Sequence, residues 1–448
     1  MNTTDTHMDM IHGSLTKKIL LFTLPIVLSS MLQQLFQLAD TSIVGYFNNS
    51  NALAAVGTNG EIIALIITLS SGLSIGTNVL IANQIGQKKT DRIPRILHTS
   101  ILFAIIIGFL GLIAGQCLTK PLLLLIQTPA KVMPFAELYL RIYLLGYPFL
   151  LLYDFGAAIL RARGDSRYPF IALTIAGILN VFLNIFFVIL FRLGVMGVAI
   201  ATDLSTMLSA GMILYRLKKE HTIFHLSFRK LHINTQDLSL ILKIGIPSAV
   251  QGAVFCFANI FVQASVNSFG PIAIAGSTIA MNFEYFAYYV ITAFGQTATT
   301  FTSQNYAANQ KKRCQQILWL CITFSTLCSL IIIVPILLFR NQFSGLFSTE
   351  QAVIEQAGIR ILCILLFEPI CSLYEIPAGV LRGAGRSLLP AIFTVVGTCA
   401  FRIIWICTIF KVNPSLKILY MAFPISWVLT ITFFVFSFVI LKPLHLKS

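Results

Sequence analysis

Charged residues are scarce in this sequence. Asp, Glu, Lys and Arg together make up 10% of its 448 residues, whereas a soluble domain carries roughly 25%. Apolar stretches of about 20 residues, long enough to cross a bilayer, recur along the whole chain. These two features exclude an ordinary soluble protein and indicate an integral membrane protein.

Motifs for nucleotide binding and for hydrolytic chemistry are absent as well. The sequence contains no GxGxxG, GKS or HExxH motif, and its nine cysteines include no CxxC pair. Most of the cysteines lie within apolar stretches, where small helix residues are common. We therefore expect a protein that is not an enzyme and needs no organic cofactor.

The apolar stretches predict an all-α protein with about twelve membrane-spanning helices. Several of the stretches exceed the length that a bilayer demands, which indicates tilt or extension beyond it. The spans lie near residues 15–45, 52–85, 93–117, 133–160, 168–191, 196–217, 237–268, 273–307, 314–339, 352–381, 388–410 and 417–441.

The chain repeats itself about 221 residues further on. LGYPFLLLYDFGAAILRARGDSRYP, from Leu145 to Pro169, matches LFEPICSLYEIPAGVLRGAGRSLLP, from Leu366 to Pro390. Each half has six spans, so both halves begin on the same side of the membrane and the repeats are parallel. A membrane protein built from two copies of one bundle usually moves a solute along the seam between them.

The basic residues fix the predicted orientation. With the N-terminus inside, 22 Lys and Arg fall in inside segments and six in outside segments, a clear positive-inside bias. The net charge of +15 therefore indicates membrane topology and not a nucleic-acid partner. The predicted segments are a cytoplasmic tail at 1–14, an N-lobe at 15–217, a cytoplasmic linker at 218–238, a C-lobe at 239–441 and a cytoplasmic tail at 442–448.

Polar residues stand inside several spans of the first half. Gln33, Gln37 and Asp40 recur at helical spacing in the first span, and Asn180 and Asn184 lie one turn apart in the fifth. A carboxylate in hydrocarbon costs several kcal/mol, so Asp40 needs a specific reason.

The repeat serves as a control for these residues. Thr202 and Asp203 add further polarity early in the sixth span. The counterparts of Asp40, Asn180, Asn184 and Thr202 are all apolar: Val262 (or Phe261), Phe401, Trp405 and Phe423. Because these polar residues occur in one half only, the pattern favours a cation or proton site there. Hydrogen bonding between helices stays open as the alternative.

The second half offers a different set of in-span residues. Glu284 stands among aromatic residues that include Tyr285 and Tyr288, and Glu368 is a further in-span acid. An acid among aromatic rings suits a lipophilic cation through charge and cation–π contact. An aromatic core with one satisfied acid is the competing interpretation.

Other residues carry structural predictions. Asp154 and Glu375 occupy equivalent positions, each seven residues before an arginine, Arg161 or Arg382, which suggests charge pairs that hold the helix ends. Pro25 lies inside the first span, where a proline allows either a static kink or a hinge.

Four segments resemble the multidrug and toxic compound extrusion (MATE) family: LPIVLSSMLQQLFQLADTSIVGYF, GTNVLIANQIGQKK, LRARGDSRYP and LRGAGRSLLP. The resemblance covers essentially the whole chain and is strongest to the bacterial branch with the DNA-damage-inducible-type members. It implies two lobes around a V-shaped cavity in a bacterial plasma (inner) membrane. The implied activity is efflux of organic cations and other xenobiotics in exchange for Na⁺ or H⁺. Small molecules and membrane lipids are the expected partners, nucleic acid is not, and a monomer is expected.

The resemblance also implies a site. In that branch an aspartate of span 1, an asparagine and an aspartate of span 5 and a threonine of span 6 bind the coupling ion, which corresponds here to Asp40, Asn180, Asn184 and Thr202. Asn184 departs from the pattern, since an aspartate is usual there, and Asp203 is a candidate for the missing charge.

The remaining predictions concern the substrate and the ion. The predicted substrate cavity contains Gln33, Gln37, Glu284, Tyr285, Tyr288 and Glu368. No metal is expected apart from Na⁺ at the coupling site, and Na⁺ and H⁺ both stay open. The alternative function is a flippase for lipid-linked saccharides from the same broad superfamily, which often has about fourteen spans and a cavity richer in arginine.

Overall fold

The computed structural model describes residues 8–47, 50–126 and 128–441. Helices account for all of its regular structure, and the described residues contain no strand. Residues 1–7 and 442–448, which belong to the predicted cytoplasmic tails, lie outside the description. The twelve long helices are α1 (Leu15–Phe47), α2 (Ser50–Gly86), α3 (Ile93–Leu125), α4 (Met133–Ala162), α5 (Arg167–Leu190), α6 (Val195–Lys219), α7 (Thr235–Asn267), α8 (Pro271–Ala307), α9 (Lys311–Leu338), α10 (Gln351–Gly383), α11 (Leu388–Phe410) and α12 (Leu416–Phe436).

The fold confirms the prediction of an all-α membrane protein with about twelve spans. Eleven of the twelve helices in the described part are long and apolar enough to cross a bilayer. The exception, α8, has 37 residues but a more polar composition that includes Glu284 and the amides Gln296, Gln304 and Asn305. It fills the position of the eighth predicted span, and α3 runs eight residues beyond the predicted end of its span at 117.

Both repeats interrupt their fourth helix at the same place. In α4 a 3₁₀ stretch covers Leu144–Gly146, and in α10 one covers Leu365–Cys371. Pro148 and Pro369 lack the N–H group that would bond to the carbonyl four residues earlier, so each copy loses an α-helical hydrogen bond at the interruption. The duplicated prolines thus explain the duplicated break.

The turn that follows this helix is also duplicated. Gly164 and Gly385 have φ values of 100° and 78°, a backbone region that favours glycine. In each copy the glycine N–H bonds to an arginine carbonyl three residues earlier, at 3.0 and 2.9 Å. The matching segments LRARGDSRYP and LRGAGRSLLP therefore build the same helix-ending turn twice.

The described residues divide into two compact units. The first contains residues 24–249 together with residues 8 and 9, and the second contains residues 250–441 together with residues 10–23. The start of α1 thus packs within the second unit, where Thr23 shares a 2.8 Å hydrogen bond with Thr297 and Phe22 packs edge-on against Phe301. The start of α7 packs within the first unit, where Arg95 and Asp237 form an ion pair at 2.6 Å.

Candidate ion and substrate sites

Three helices of the first unit bring four predicted site residues together. Asn184 Nδ2 donates to Asp40 Oδ1 at 2.5 Å and to Asn180 Oδ1 at 3.1 Å. Thr202 Oγ1 lies 3.4 Å from Asp40 Oδ2 and accepts from Asn180 Nδ2 at 3.4 Å. α1, α5 and α6 therefore contribute one continuous polar cluster, which we call the Asp40 cluster.

The Asp40 cluster is rich in oxygen, with two buried amides beside the half-buried Asp40 and Thr202. Asn180 and Asn184 are only 4% and 0% exposed. Asn184 Oδ1 has no hydrogen-bond partner among the described residues, although buried amide oxygens are normally paired. The cluster thus contains one carboxylate, two amide oxygens and a hydroxyl, the hard oxygen donors that suit a small cation, as well as one carboxylate that can take a proton.

The other predicted residues of the first unit lie outside this set of bonds. Gln33 and Gln37 are exposed on α1, on the same helical face as Asp40, while the neighbouring Gln34 is buried. The Asp203 carboxylate bonds to the backbone of Gly146. A Cβ at Gly146 would lie 2.2 Å from Asp203 Oδ1, so only glycine permits this approach. Pro25 lies inside α1, one residue after the start of the first unit's part of the helix.

The corresponding region of the second unit has the opposite charge. Arg402 is fully buried, and its guanidinium lies 4.0 Å from the ring centroid of Phe423, the counterpart of Thr202. Arg402 Nε donates to Ser426 at 3.1 Å and Nη1 to Asn259 at 3.3 Å. Its Nη2 has no hydrogen-bond partner among the described residues. The second unit therefore holds a fixed cation in the region that corresponds to the Asp40 cluster.

A change of helix type accounts for the position of Arg402. α11 contains a π-helical stretch at Val395–Ala400, whereas α5 is regular α-helix from Arg167 to Asn184. A π turn carries an extra residue and shifts the helical phase of the residues after it. The buried residue that corresponds to Asn180 in the repeat is then Arg402, one position after Phe401.

The predicted acids of the second unit differ from each other. Glu284 forms a two-bond ion pair with Arg360, at 2.7 and 2.8 Å, and Arg360 also donates to Ser277 at 2.7 Å. Glu368 is 4% exposed, and its Oε2 has no hydrogen-bond partner among the described residues. Glu284 is thus paired with Arg360, whereas Glu368 is a buried acid with an unused oxygen.

Aromatic stacking holds the tyrosines beside Glu284. Tyr285 stacks on Tyr289 with centroids 6.0 Å apart, and Tyr288 stacks on Phe255 at 6.5 Å. Phe255 also lies 5.5 Å from the Arg402 guanidinium. The aromatic surface and the buried arginine are therefore neighbours in the second unit.

The duplicated carboxylates both make polar contacts. Glu375 and Arg382 form an ion pair at 2.6 Å. Asp154 accepts a 2.6 Å hydrogen bond from Ser70 on α2, and Arg161 follows Asp154 on the same helix, in α4. Both carboxylates therefore tie a helix interior to a neighbouring polar group.

Sequence reasoning missed Arg360, Ser277 and Asn259 as members of a polar site. Arg360 was identifiable as an in-span arginine, eight residues before Glu368. The pairing with Glu284 depends on the packing of α8 against α10, which spacing within one helix cannot predict.

The fold and these sites together define a class of protein. Two parallel six-helix repeats, with charged groups buried at mid-helix in each, form the architecture of a membrane transporter and not of an enzyme. The solved structure of a multidrug resistance MATE family transporter in an outward-facing conformation matches with a TM-score of 0.90. It shares 22% identity and covers 99% of both chains, so it shows the same fold.

The family is shown by the sequence. The MatE family matches residues 25–186 and again residues 247–407, more than half of the chain, and this protein belongs to it. The two matches fall one repeat apart and confirm the duplication. The probable multidrug resistance protein YoeA of Bacillus subtilis is 27% identical over 85% of this chain and 84% of its own length. The probable multidrug resistance protein NorM of Thermotoga maritima is 26% identical over 86% and 84%.

Proposed function

We propose that this protein is a secondary active efflux antiporter that exports organic cations or other drugs in exchange for Na⁺ or H⁺. The observation that carries the proposal is the Asp40 cluster, which occurs in one repeat only. The names of the relatives, which describe multidrug resistance proteins, support drug efflux as the activity.

A single buried carboxylate is a sufficient basis for coupling. Deprotonated Asp40 gives the cluster one negative charge in an apolar surrounding, and one proton or one Na⁺ neutralises it. Suppose that the ion binds more tightly to one of two conformations and the substrate to the other. Binding of either one then shifts the conformational equilibrium and lowers the affinity for the other. This difference in affinity is the basis of alternating access, in which Pro25 would serve as the hinge of α1.

The orientation of Asn184 bears on the choice of ion. Its N–H group points at Asp40, which stabilises an anionic carboxylate without a metal ion. A proton can join Asp40 with Asn184 in this orientation. Na⁺ needs oxygen ligands, so the Asn184 amide would have to turn and present Oδ1. An aspartate at 184 would add a second negative charge, so we expect Asn184→Asp to raise the number of ions exchanged per substrate.

The further parts of the proposal concern substrate and topology. We assign the substrate surface to Gln33, Gln37, Glu284, Tyr285, Tyr288 and Glu368, and a second charge of the ion site to Asp203. The protein acts as a monomer in the bacterial plasma membrane with both termini cytoplasmic, and its lobes span residues 15–217 and 239–441. The positive-inside bias supports this orientation.

Efflux from proteoliposomes tests the proposal. A panel of fluorescent organic cations is loaded, and a Na⁺ gradient or a pH gradient is imposed separately. We expect one gradient to drive efflux, Asp40→Asn to abolish the response, and Asp203→Asn, the adjacent acid outside the hydrogen-bonded set, to show whether Asp203 shares the site. Failure of both gradients to drive efflux of any cation would overturn the proposal and turn attention to lipid-linked saccharides.

A further inference from the structure

An apolar groove runs between α5 and α6 of the first unit. Its volume is about 820 Å³, and leucines line its walls, among them Leu179 and Leu183 from α5 and Leu204 and Leu208 from α6. This volume lies within the range of small-molecule sites. The neighbouring outward residues of α5, such as Ile178 and Phe182, are 50% and 66% exposed, as expected for a lipid-facing surface.

One end of the groove carries positive charge. Tyr168, near the start of α5, and Tyr215, near the end of α6, both line it. The Arg216 guanidinium lies 5.6 Å from the Tyr168 ring centroid, and the Lys219 ammonium lies 6.0 Å from that of Tyr215. Two cations thus stand over the two rings that form this end, which the positive-inside bias assigns to the cytoplasmic side.

The arginine at this end is held in place. Arg216 bonds to Glu220 at 3.2 Å, and Arg163 bonds to the same carboxylate at 2.9 Å. Arg163 also bonds to Asp165 at 3.4 Å. The two arginines and the two carboxylates balance each other, so Lys219 supplies the net positive charge of this end. The groove therefore combines a long apolar wall with a positioned basic end.

We propose that this groove binds an anionic phospholipid, with one acyl chain between α5 and α6 and the phosphate at Lys219 and Arg216. The charge complementarity selects the occupant: an apolar chain alone would need no basic end, and a free phosphate would need no leucine wall. Basic residues beside a membrane attract anionic headgroups in this way. The site is separate from the Asp40 cluster. Its α5 residues, Leu179 and Leu183, each precede an asparagine of the cluster by one residue and therefore point in a different direction from the helix.

Gly211 provides a direct way to close the groove. It lines the groove, and a Cβ built on it meets nothing within 4 Å. A side chain at this position therefore has room at its Cβ, so Gly211→Trp would place a large ring in the acyl-chain space, and Gly211→Leu is a smaller version of the same change.

Native mass spectrometry of the full chain in detergent tests the proposal. Dioleoyl phosphatidylglycerol and dioleoyl phosphatidylcholine are added separately, and the fraction of protein that retains one lipid is measured. We expect retention of phosphatidylglycerol over phosphatidylcholine, loss of that preference in Gly211→Trp, and a roughly fivefold weaker occupancy in Lys219→Gln, the size expected for one basic residue at an anionic surface.

Matched controls separate this site from general lipid adhesion. Ile178→Trp adds the same ring on the exposed face of α5 outside the groove, and Lys218→Gln removes the adjacent positive charge. Both should bind phosphatidylglycerol as the unmodified protein does. If Gly211→Trp lowers thermal stability, Gly211→Leu replaces it and should still reduce occupancy. Unchanged binding in the Gly211 variants, or an equal loss in Lys218→Gln and Lys219→Gln, would overturn the proposal.

Discussion

Corresponding regions of the two repeats hold opposite chemistry. In the first, Asp40 accepts hydrogen bonds from neutral groups on α5 and α6. In the second, Arg402 is buried against Phe423 and bonded to the neutral Asn259 and Ser426. The two copies share the scaffold around these sites, down to the 3₁₀ break and the glycine turn. The comparison teaches that duplication fixed the helices, while a few buried side chains came to give each copy its own charge.

The difference limits where a coupling cation can bind. A permanently charged guanidinium repels a second cation at close range and does not release its proton at physiological pH. In the corresponding region, the second repeat therefore lacks the one property that coupling needs, which is a charge that can be gained and lost. Its other acids lie elsewhere, one paired to Arg360 and one buried with an unused oxygen.

The largest effect on stability is expected when the Glu284–Arg360 ion pair of the second repeat is broken. Arg360→Ala would leave Glu284 without its cation, and removal of one partner from a buried pair costs about 3–5 kcal/mol. The thermal unfolding temperature in detergent should fall accordingly. The double variant Arg360→Met with Glu284→Gln, which removes both charges, should recover most of the loss; an unchanged unfolding temperature in Arg360→Ala would show that the pair is not structural.

A smaller effect, this time a gain in stability, is expected when a substitution gives Arg402 a carboxylate partner. Asn259→Asp places an anion 3.3 Å from Nη1, and a hydrogen bond to a charged group contributes about 1.5–3 kcal/mol. The unfolding temperature should therefore rise. Gln37→Glu, one repeat earlier, is the matched control and should give no gain, because no cation lies in that half's cluster. Equal shifts in the two variants would remove the contrast between the repeats.

The smallest effect is expected from the hydroxyl of the Asp40 cluster. Thr202→Val removes a 3.4 Å hydrogen bond to Asp40, and one such bond contributes about 0.5–1.5 kcal/mol. The ion concentration that half-saturates efflux should change several-fold. Thr206→Val, one turn further along α6, loses only a bond to a backbone carbonyl and should leave that concentration as it is.

Much of this architecture is predictable from the sequence because a bilayer demands long apolar segments. Composition alone therefore indicates the spans, and the spacing of Asn180 and Asn184 places both amides on one face. The break at Leu144–Gly146 was within reach, since Pro148 implies it.

Contacts between helices were harder to foresee. The ion pair of Glu284 with Arg360 joins α8 to α10, and the hydrogen bond of Ser70 to Asp154 joins α2 to α4. Neither follows from spacing within one helix. The π-helical stretch before Arg402 shifts the phase of α11, and a fixed repeat offset therefore pointed to Phe401.

The central claim is that ion coupling resides in the Asp40 cluster of one repeat. The most direct measurement is gradient-driven efflux of one fluorescent organic cation from proteoliposomes that contain Asp40→Asn, Arg402→Gln or Glu368→Gln at equal amounts. The account predicts that Asp40→Asn loses the response to the coupling gradient, while the other two variants still respond to it. A response that survives in Asp40→Asn and disappears in Arg402→Gln or Glu368→Gln would contradict it and move the coupling to the second repeat.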